Sequence, residues 1–352
     1  MPPNILVAVL NWGLGHATRC VPLVGELLKH TDTITLASDG GALQLLREEF
    51  PRLPSVALPA YDIRYPGSNM VRGMVPQLPG IFGKIRAEHS LVRQLVRENR
   101  FTHLVSDNRF GCYSDQARTA YLTHQVHIPT PSLIFDPLVN ALNHRFIRRF
   151  DELWVPDRPP GEASLAGPMS DGDRFGAKYL GYLSRMEFRE MPKVYDLTAV
   201  VSGPEPQRSI FSKKLERQLL EFPGKTALVL GRPDLTVPPR TEENLTVFPF
   251  LATDALNELI LQSRCLVSRS GYSSLMDYER TGTPAILIPT PGQTEQERLA
   301  TRLDAQKVFA VGTQSDFNLS QLYRTALNRG GLERSVGEAL NLEKVVVDFL
   351  SG

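Results

Sequence analysis

Short apolar runs alternate with helix-spaced segments along the whole chain. The first half contains the strand-like runs NILVAVL, TITLAS, RFTHLVSD and AYLTHQVHI, with helical spacing in VPLVGELLKH and ALQLLREEF. The second half repeats the rhythm in YDLTAVVSG, KTALVLG, LTVFPF, RCLVSRSG and PAILIPTP. This alternation is typical of βαβ units. The pattern therefore predicts an α/β fold with doubly wound parallel sheets.

The rhythm breaks once, in a stretch over residues 157–173 that is rich in Pro, Gly, Ser and Asp. A chain of 352 residues exceeds the size at which a single core usually stops growing. We therefore predict an N-terminal Rossmann-like domain over 1–156, a linker over 157–192 and a second Rossmann-like domain over 193–335. A last helix over 336–352 is a candidate to return to the first domain.

Composition excludes several classes of protein. Hydrophobic residues make up 42% and charged residues 22%, and the formal net charge of +1 provides no overall attraction to nucleic acid. No leader pattern opens the sequence, and no apolar stretch reaches the length of about 18 residues that a spanning helix needs. We expect a cytoplasmic protein without a nucleic-acid partner. The three cysteines are far apart among apolar neighbours, which predicts buried hydrophobes and neither disulfides nor a zinc site.

The stretch NWGLGHATR, residues 11–19, separates the first predicted strand from the first predicted helix. In doubly wound sheets, ligands bind at the carboxyl ends of strands. Gly13 and Gly15 permit close backbone approach, and His16, Thr18 and Arg19 stand in the first helical turn. A tight turn alone is the structural alternative. The stretch is a poor dinucleotide fingerprint, because Thr18 stands where the third Gly or Ala belongs.

Three loops of the second domain carry matching polar groups. SGPEPQRSIF places Gln207, Arg208 and Ser209 at a helix start, as a phosphate cradle or simply a rigid proline turn. SRSGYSSLMD offers Arg269 and serines for an anion, or only an N-cap. GQTEQE places amides and carboxylates where sugar hydroxyls could bind, or forms an ordinary capped helix.

The segment SRSGYSSLMDYERTGTPAILIPTPGQTEQERLA resembles the nucleotide-sugar-binding segment of GT-B glycosyltransferases of family 28. That group includes the peptidoglycan enzymes that transfer N-acetylglucosamine from a UDP donor to a lipid-linked acceptor. NWGLGHATR resembles the glycine-rich loop of the same group. The resemblance implies two Rossmann-like domains around an interdomain cleft and inversion at the anomeric carbon. It also implies charge neutralisation by helix N-termini and basic side chains, with no metal and no cofactor.

Carried over by position, the resemblance implies roles for named residues. Ser270 and Gly271 would face the donor pyrophosphate, Asp277 the ribose hydroxyls, and Phe250 the uracil. Asp277 stands where the family usually has Glu, and the phosphate turn carries prolines where the family has more glycines. The expected donor-binding set is Gly203, Arg208, Phe250, Arg269, Ser270, Gly271, Tyr272, Ser273, Asp277, Glu295 and Gln296.

The resemblance also places His16 near the reacting centre. A neutral imidazole there could take the proton of the acceptor hydroxyl, or only position the acceptor or a phosphate. Asp107, at the end of the predicted strand in RFTHLVSD, is the candidate to orient His16 or to act as the base itself; an Asx turn is the alternative. Gly13, Gly15, Thr18 and Arg19 would form the loop facing acceptor or phosphate.

The sequence predicts a glycosyltransferase that uses a UDP-hexosamine or UDP-hexose and an unidentified acceptor. Basic and apolar residues over 61–100 and 144–150 would suit a lipid-linked acceptor at the inner face of a membrane, although ordinary solvated helix faces explain them too. A UDP-sugar 2-epimerase of the same architecture and a catalytically silent nucleotide-sugar-binding protein are the alternatives.

Overall fold

The computed structural model describes residues 2–61, 77–130, 134–161, 163–203, 205–232, 234–334 and 341–352. The chain divides into two compact units. The first comprises Met1–Leu183 and Gly337–Gly352, and the second Ser184–Val336. None of the helices in the described ranges combines the length and the apolar character that crossing a bilayer requires.

The first unit is built on a parallel sheet. Its strands are β1 (Ile5–Val9), β2 (Ile34–Ser38), β3 (Ser55–Ala57), β4 (His103–Asp107), β5 (Arg118–Leu122), β6 (Glu152–Val155) and β7 (Lys178–Tyr179). They pair in the order β3-β2-β1-β4-β5-β6-β7, and each pairing is parallel. The helices between them are α1 (Leu14–Leu27), α2 (Gly40–Glu49), α3 (Leu78–Asn99) and α4 (Asp136–Ile147).

The composition of β1 explains its central place. All five of its residues are apolar and buried, as expected for a parallel strand covered on both faces. In the register of the sheet, Val9 lies opposite Asp107, and Asp107 lies opposite Leu122. The carboxyl ends of β1, β4 and β5 therefore finish side by side, and the loops that follow them share one edge of the sheet.

The second unit repeats the architecture. Its strands are β8 (Tyr195–Val200), β9 (Thr226–Val229), β10 (Arg240–Glu242), β11 (Leu245–Phe248), β12 (Ser263–Ser268), β13 (Ala285–Leu287) and β14 (Ala310–Val311), in the order β10-β11-β9-β8-β12-β13-β14. Only the edge pairing of β10 with β11 is antiparallel among those described. The helices are α5 (Gln207–Leu220), α6 (Thr253–Leu261), α7 (Tyr272–Thr281), α8 (Thr294–Ala305) and α9 (Leu319–Arg329).

The prediction of a linker over 157–192 is wrong for residues 157–183, which belong to the first unit. The segment is organised around a buried carboxylate. Asp157 accepts hydrogen bonds from the hydroxyls of Ser164 and Ser170, both at 2.9 Å, and from the backbone N–H groups of Leu165 and Ala166, both at 3.0 Å. Such a polar hub leaves no apolar periodicity in the sequence, which is why the pattern suggested a linker.

The last helix, α10 (Leu342–Ser351), lies in the first unit. The Phe349 ring meets the rings of Trp154 and His103 edge-on, with centroids 5.0 and 4.9 Å apart. The predicted boundary at 335 and 336 lies outside the described residues. All three cysteines, Cys20, Cys112 and Cys265, are free and buried, which confirms the prediction that they are buried residues.

Candidate functional site

The glycine-rich loop after β1 positions a histidine at the edge of the first sheet. Gly13 precedes α1 with φ 82° and ψ 165°, a conformation open essentially only to glycine. The turn brings His16, in the first turn of α1, next to Asp107, the last residue of β4. His16 Nδ1 lies 3.0 Å from Asp107 Oδ2, and the His16 side chain keeps 14% of its surface exposed.

Arg19, in the second turn of α1, contacts both members of this pair. Its Nη2 donates to Asp107 Oδ1, and its Nε lies 3.3 Å from Asp107 Oδ2. Nη2 is also 2.9 Å from His16 Nδ1, and Nη1 is 2.9 Å from Nδ1 of His124. Arg19, Asp107 and His124 are all buried. The edge of the first unit therefore contains a compact charged cluster of which His16 is the partly exposed member.

Burial and charge act in opposite directions within this cluster. Burial alone would raise the pKa of Asp107, but Arg19 and His16 outweigh it and lower that pKa to about 2. Burial lowers the pKa of His16; Asp107 opposes this, and the Arg19 cation adds to it. At neutral pH the cluster therefore combines an ionised carboxylate with a neutral imidazole, which is the protonation state that a general base requires.

The structure corrects the expected roles of two loop residues. Arg19 was expected to face acceptor or phosphate, but its guanidinium is buried and bound to Asp107 and two histidines. The hydroxyl of Thr18 donates to the backbone carbonyl of Gly15 at 3.0 Å, and Thr18 is itself buried. Both face inward because α1 turns this side towards the sheet. Gly13 and His16 remain at the surface of the loop.

His124, which contacts Arg19, was not predicted from the sequence. The signal was present, because His124 stands two residues beyond the end of β5, a central strand of the same sheet. The rule that places ligands at strand ends applies there as it does after β1 and β4. Cys20, whose Sγ lies 3.6 Å from Asp107 Oδ2, was also missed; a cysteine inside a helix gives no such signal.

In the second unit, the loops after β8 and β11 carry three expected donor contacts. Gly203 has φ 106° and open space where a Cβ would lie. Arg208, in the first turn of α5, donates through Nη2 to Glu205 at 2.8 Å and through Nη1 to the carbonyl of Gly231 at 3.2 Å. Phe250 is half-buried two residues after β11. These groups line the carboxyl edge of the second sheet.

Three of the residues expected to bind the donor after β12 are buried. Arg269 stacks on the Phe211 ring at 3.9 Å and donates to the carbonyls of Ile288 and Gln207 at 3.1 and 3.2 Å. Burial lowers its pKa to about 9. Ser270, through its hydroxyl, donates to the Gln296 carbonyl at 2.8 Å.

Tyr272, the first residue of α7, is also buried. Arg269 and Ser270 therefore connect loops of the second unit, and the expected contacts of Arg269, Ser270 and Tyr272 with donor stay predictions. Gly271 and Ser273 keep partial exposure at the start of α7.

Asp277 is held by a partner that no motif predicted. Ser184 accepts from the backbone N–H of Met186 at 3.0 Å and donates to Asp277 Oδ1 at 2.6 Å. Burial raises the pKa of Asp277 to about 6, which the Ser184 hydrogen bond and Arg185 oppose. Glu295 and Gln296 occupy the first turn of α8, where the side chain of Gln296 accepts from the backbone N–H of Thr290 at 2.8 Å.

Within the described residues, no group of three or more His, Cys, Asp or Glu side chains converges in a way that could hold a metal ion. One Asp-x-Asp sequence occurs, at Asp171 and Asp173. Asp171 Oδ1 accepts from the backbone N–H of Asp173 at 3.2 Å, and Asp173 Oδ1 accepts from the Tyr179 hydroxyl at 2.9 Å. Both carboxylates thus stabilise the local fold.

Comparison with known proteins identifies the second unit. Residues 213–329 match the model of the glycosyltransferase family 28 C-terminal domain. The second unit carries a family 28 glycosyltransferase domain. The matched residues begin within α5 and end with α9; they include Phe250 after β11, Asp277 in α7 and Glu295 in α8.

Curated relatives match about a fifth of the chain. A "UDP-N-acetylglucosamine--N-acetylmuramyl-(pentapeptide) pyrophosphoryl-undecaprenol N-acetylglucosamine transferase" of Lactobacillus johnsonii is 35% identical over 77 residues, which are 21% of this chain and 20% of the relative. The transferase of the same description from Oenococcus oeni is 34% identical over 82 residues, 23% of this chain and 21% of the relative. The chain thus spans about a fifth of the length of these relatives.

Solved structures match the whole chain at low identity. A glycosyltransferase of kitacinnamycin has a TM-score of 0.66 at 13% identity, covering 99% of this chain and all of its own. The calicheamicin glycosyltransferase CalG4 has a TM-score of 0.65 at 12% identity, and the match covers 100% of this chain and 99% of CalG4. Spinosyn rhamnosyltransferase SpnG in complex with thymidine diphosphate has a TM-score of 0.59 at 13% identity, covering 99% and 96%.

At this identity the structural likeness shows the fold, which is that of GT-B glycosyltransferases. The predictions of two Rossmann-like α/β domains and of a family 28 type of glycosyltransferase are therefore confirmed in fold and in family domain.

Proposed function

We propose that this protein transfers a sugar from a nucleotide-sugar donor to an acceptor hydroxyl, with inversion and without a metal. The observation that carries the proposal is the contact of His16 with Asp107 at the carboxyl edge of the first sheet, in a chain whose second unit is a family 28 domain. The donor we propose is a UDP-hexosamine or UDP-hexose, since the curated relatives are named as transferases of UDP-N-acetylglucosamine.

In the proposed reaction, His16 takes the proton of the acceptor hydroxyl while its oxygen attacks the anomeric carbon of the donor. The bond between that carbon and the diphosphate oxygen breaks, and the nucleoside diphosphate leaves with the electron pair. Asp107 stabilises the imidazolium that forms. The N-terminal amides of α5 and α7, together with Arg208, would neutralise the charge on the leaving diphosphate.

The donor is tested by isothermal titration with UDP, UDP-N-acetylglucosamine, UDP-glucose and a thymidine diphosphate sugar, in the presence of a chelator. We expect UDP to bind and one UDP-sugar to bind more tightly. The thymidine nucleotide is included because a structural relative is described in complex with thymidine diphosphate. If none of the uridine nucleotides binds, the UDP proposal is wrong. Products formed from UDP-sugar alone would reveal a 2-epimerase instead.

Asp277→Ala tests where the donor binds. Removal of a carboxylate that contacts ribose hydroxyls should weaken UDP binding by about 10-fold or more, because a hydrogen bond to a charged group contributes about 1.5–3 kcal/mol. Glu258→Ala, an exposed acid on α6, is the matched control and should leave the affinity unchanged. Equal affinity in both variants would mean that Asp277 is not in the donor site.

His16→Ala and Asp107→Asn test the catalytic assignment. Each should lower kcat by about 10²–10⁴-fold, the usual contribution of a positioned general base. Donor affinity should stay unchanged, because the donor residues lie in the second unit. His30→Gln, a histidine beyond the end of α1 that contacts Glu26, is the control. If kcat is unchanged in His16→Ala, another group must accept the proton. If the wild type and all variants bind UDP but none transfers sugar to any acceptor, the catalytically silent nucleotide-sugar-binding protein becomes the better explanation.

For the acceptor, we propose a lipid-linked molecule at an anionic membrane surface. The start of α4 and the two residues before it expose Ile134 by 85%, Leu138 by 72% and Phe135 by 50%. The exposed cations Arg145, Arg148 and Arg149 follow on the same helix and just after it. An apolar face next to cations is what a bilayer interface binds. Residues 62–76 of the predicted basic surface lie outside the described residues.

Vesicle sedimentation tests this surface. The protein should sediment with vesicles that contain phosphatidylglycerol at low salt, and less with phosphatidylcholine alone, because the arginines favour anionic headgroups. Leu138→Asp should reduce binding, whereas Leu327→Asp, an exposed leucine of the second unit, should not. Retention of the wild-type protein in the supernatant would contradict the membrane proposal and leave the transfer reaction open to water-soluble acceptors.

A further inference from the structure

The contacts of Arg19 distinguish it from an ordinary buried ion-pair residue. Four of its N–H directions are used: two on Asp107, one on His16 and one on His124. A guanidinium only donates, so His16 and His124 must each offer a lone pair at Nδ1 when they accept from it. The contact with Arg19 thus requires that Nδ1 of His16 carry no proton, which packing alone would not require.

The contact with Asp107 requires the opposite protonation of the same nitrogen. An ionised carboxylate only accepts, so the 3.0 Å contact from His16 Nδ1 to Asp107 requires a proton on Nδ1. The 2.9 Å contact from Arg19 Nη2 to that nitrogen requires a lone pair there. A neutral imidazole carries one or the other. The two hydrogen bonds are therefore mutually exclusive, and each fixes a different tautomer.

We propose that Arg19 is a positioning residue that competes with Asp107 for Nδ1 of His16 and so controls which ring nitrogen of His16 holds the proton. The inference rests on the proposed function, in which His16 takes the acceptor's proton, and it assigns that step to Nε2. With Nδ1–H bound to Asp107, Nε2 presents a lone pair and accepts the acceptor's proton. With Nδ1 bound to Arg19, Nε2 carries a proton and donates to an acceptor oxygen or phosphate.

The competition also orders the chemical step. Before transfer, Arg19 must release Nδ1 and the Nδ1–H group must bind Asp107, because only then does Nε2 offer a lone pair. When Nε2 takes the proton of the acceptor hydroxyl, the imidazolium has N–H groups on both nitrogens, so Arg19 cannot bind Nδ1 until His16 is neutral again. The proton that His16 gained leaves to solvent after the nucleoside diphosphate departs. Arg19 thus disfavours the protonated form of His16 and favours return to the neutral base.

The groups that face His16 account for its charge balance. Asp107 comes from β4, Arg19 from α1 and His124 from the loop after β5, whereas Cys20 of α1 contacts Asp107. Asp107 and Arg19 offset one another, so protonation of His16 would add an unpaired positive charge beside a guanidinium. Burial and Arg19 accordingly lower the pKa of His16, against the effect of Asp107.

The test on the intact wild-type protein is a ¹⁵N NMR measurement of the histidine ring nitrogens at pH 7 to 8, with His16 assigned by its loss in His16→Gln. We expect intermediate shifts at both nitrogens of His16, the signature of two exchanging tautomers. Arg19→Met should convert them to one Nδ1–H form. A single Nδ1–H form already present in the wild type and unchanged in Arg19→Met would overturn the proposal. No substrate is involved, so failure here is separate from failure of the proposed transfer reaction.

The kinetic counterpart is the pH profile of kcat/KM. Removing the adjacent cation in Arg19→Met should move the acid limb upward by about one pH unit, since a like charge at this distance shifts a titration by about that much or more. Arg19→Lys, which keeps the charge, should stay closer to wild type. Arg118→Met, which removes a partly exposed ion-pair cation elsewhere in the first unit, should not move the limb. Reduced activity with an unmoved limb would show that Arg19 supports only the fold.

Discussion

At the scale of single residues, burial gives the two candidate-site aspartates opposite properties. Asp107 is buried beside Arg19 and His16, which lower its pKa to about 2 in spite of burial. Asp277 is half-buried with a serine as its hydrogen-bond partner, and desolvation of its carboxylate raises its pKa to about 6. The first carboxylate therefore stabilises the fold in its charged form, and the second weakens the fold when it ionises.

The sign of the Asp277 effect can be measured. Its folded pKa lies above its unfolded value near 3.8, so its contribution to stability is present below pH 4 and is lost as the pH rises to about 6. Asp277→Asn should therefore increase the free energy of unfolding of the second unit at pH 7 by up to about 3 kcal/mol, and raise its melting temperature accordingly. At pH 4 the gain should be small.

Circular dichroism melts at both pH values check this prediction. Glu258→Gln, on the exposed face of α6, should show neither gain. A loss of stability at pH 7 in Asp277→Asn would contradict the assignment of Asp277 as a destabilising charge.

At the scale of elements, the start of α1 is set by one backbone conformation. Gly13 adopts φ 82° and ψ 165°, and a Cβ there would meet nothing within 4 Å. The constraint is therefore one of torsion and not of space. It turns the chain from β1 into α1 within a few residues and brings His16 to Asp107.

Gly13→Ala should cost about 1–3 kcal/mol in the free energy of unfolding of the first unit, the usual cost of a residue held in this region, and should lower kcat by displacing His16. Gly25→Ala is the matched control, since Gly25 lies inside α1 with open space around it and no positive φ. That change should stabilise by about 0.5–1 kcal/mol. Urea denaturation measures both changes in the free energy of unfolding. Equal changes at the two positions would contradict a torsional role for Gly13.

Strand ends were the most informative feature of the sequence. The end of each apolar run, together with the parallel arrangement, predicted that Asp107 and the loop with His16 share an edge, although 91 residues separate them. The same pattern could not predict the partners of charged side chains. Nothing in the sequence shows that Arg19 turns inward to Asp107, that Ser184 binds Asp277 or that Asp157 organises 164–170, because polar hubs have no periodicity.

At the scale of the whole molecule, the chain leaves the first unit after Leu183 and comes back for α10. Phe349 of this helix is fully buried against Trp154 and His103. The first unit is therefore completed by residues that follow the family 28 domain. Both tryptophans of the sequence, Trp12 and Trp154, lie in that unit.

Phe349→Ala should destabilise the first unit by about 3–5 kcal/mol, as is usual for a buried phenylalanine. Tryptophan fluorescence during urea denaturation reports on this unit alone. Binding of UDP to the folded protein should remain, since the donor residues belong to the second unit. Val347→Ala, an exposed position of α10, is the control. A loss of UDP binding that parallels the fluorescence change would contradict independent units.

The rates at which the buried cysteines are alkylated would report on the opening of the two units. Burial raises the pKa of Cys20, Cys112 and Cys265, that of Cys265 to about 12, so each thiol stays protonated and shielded while its unit is folded. An alkylating reagent can then modify a thiol only after local unfolding exposes it. Because Cys20 and Cys112 report on the first unit and Cys265 on the second, mass spectrometry of the labelled peptides would time the opening of each, with no engineered probe.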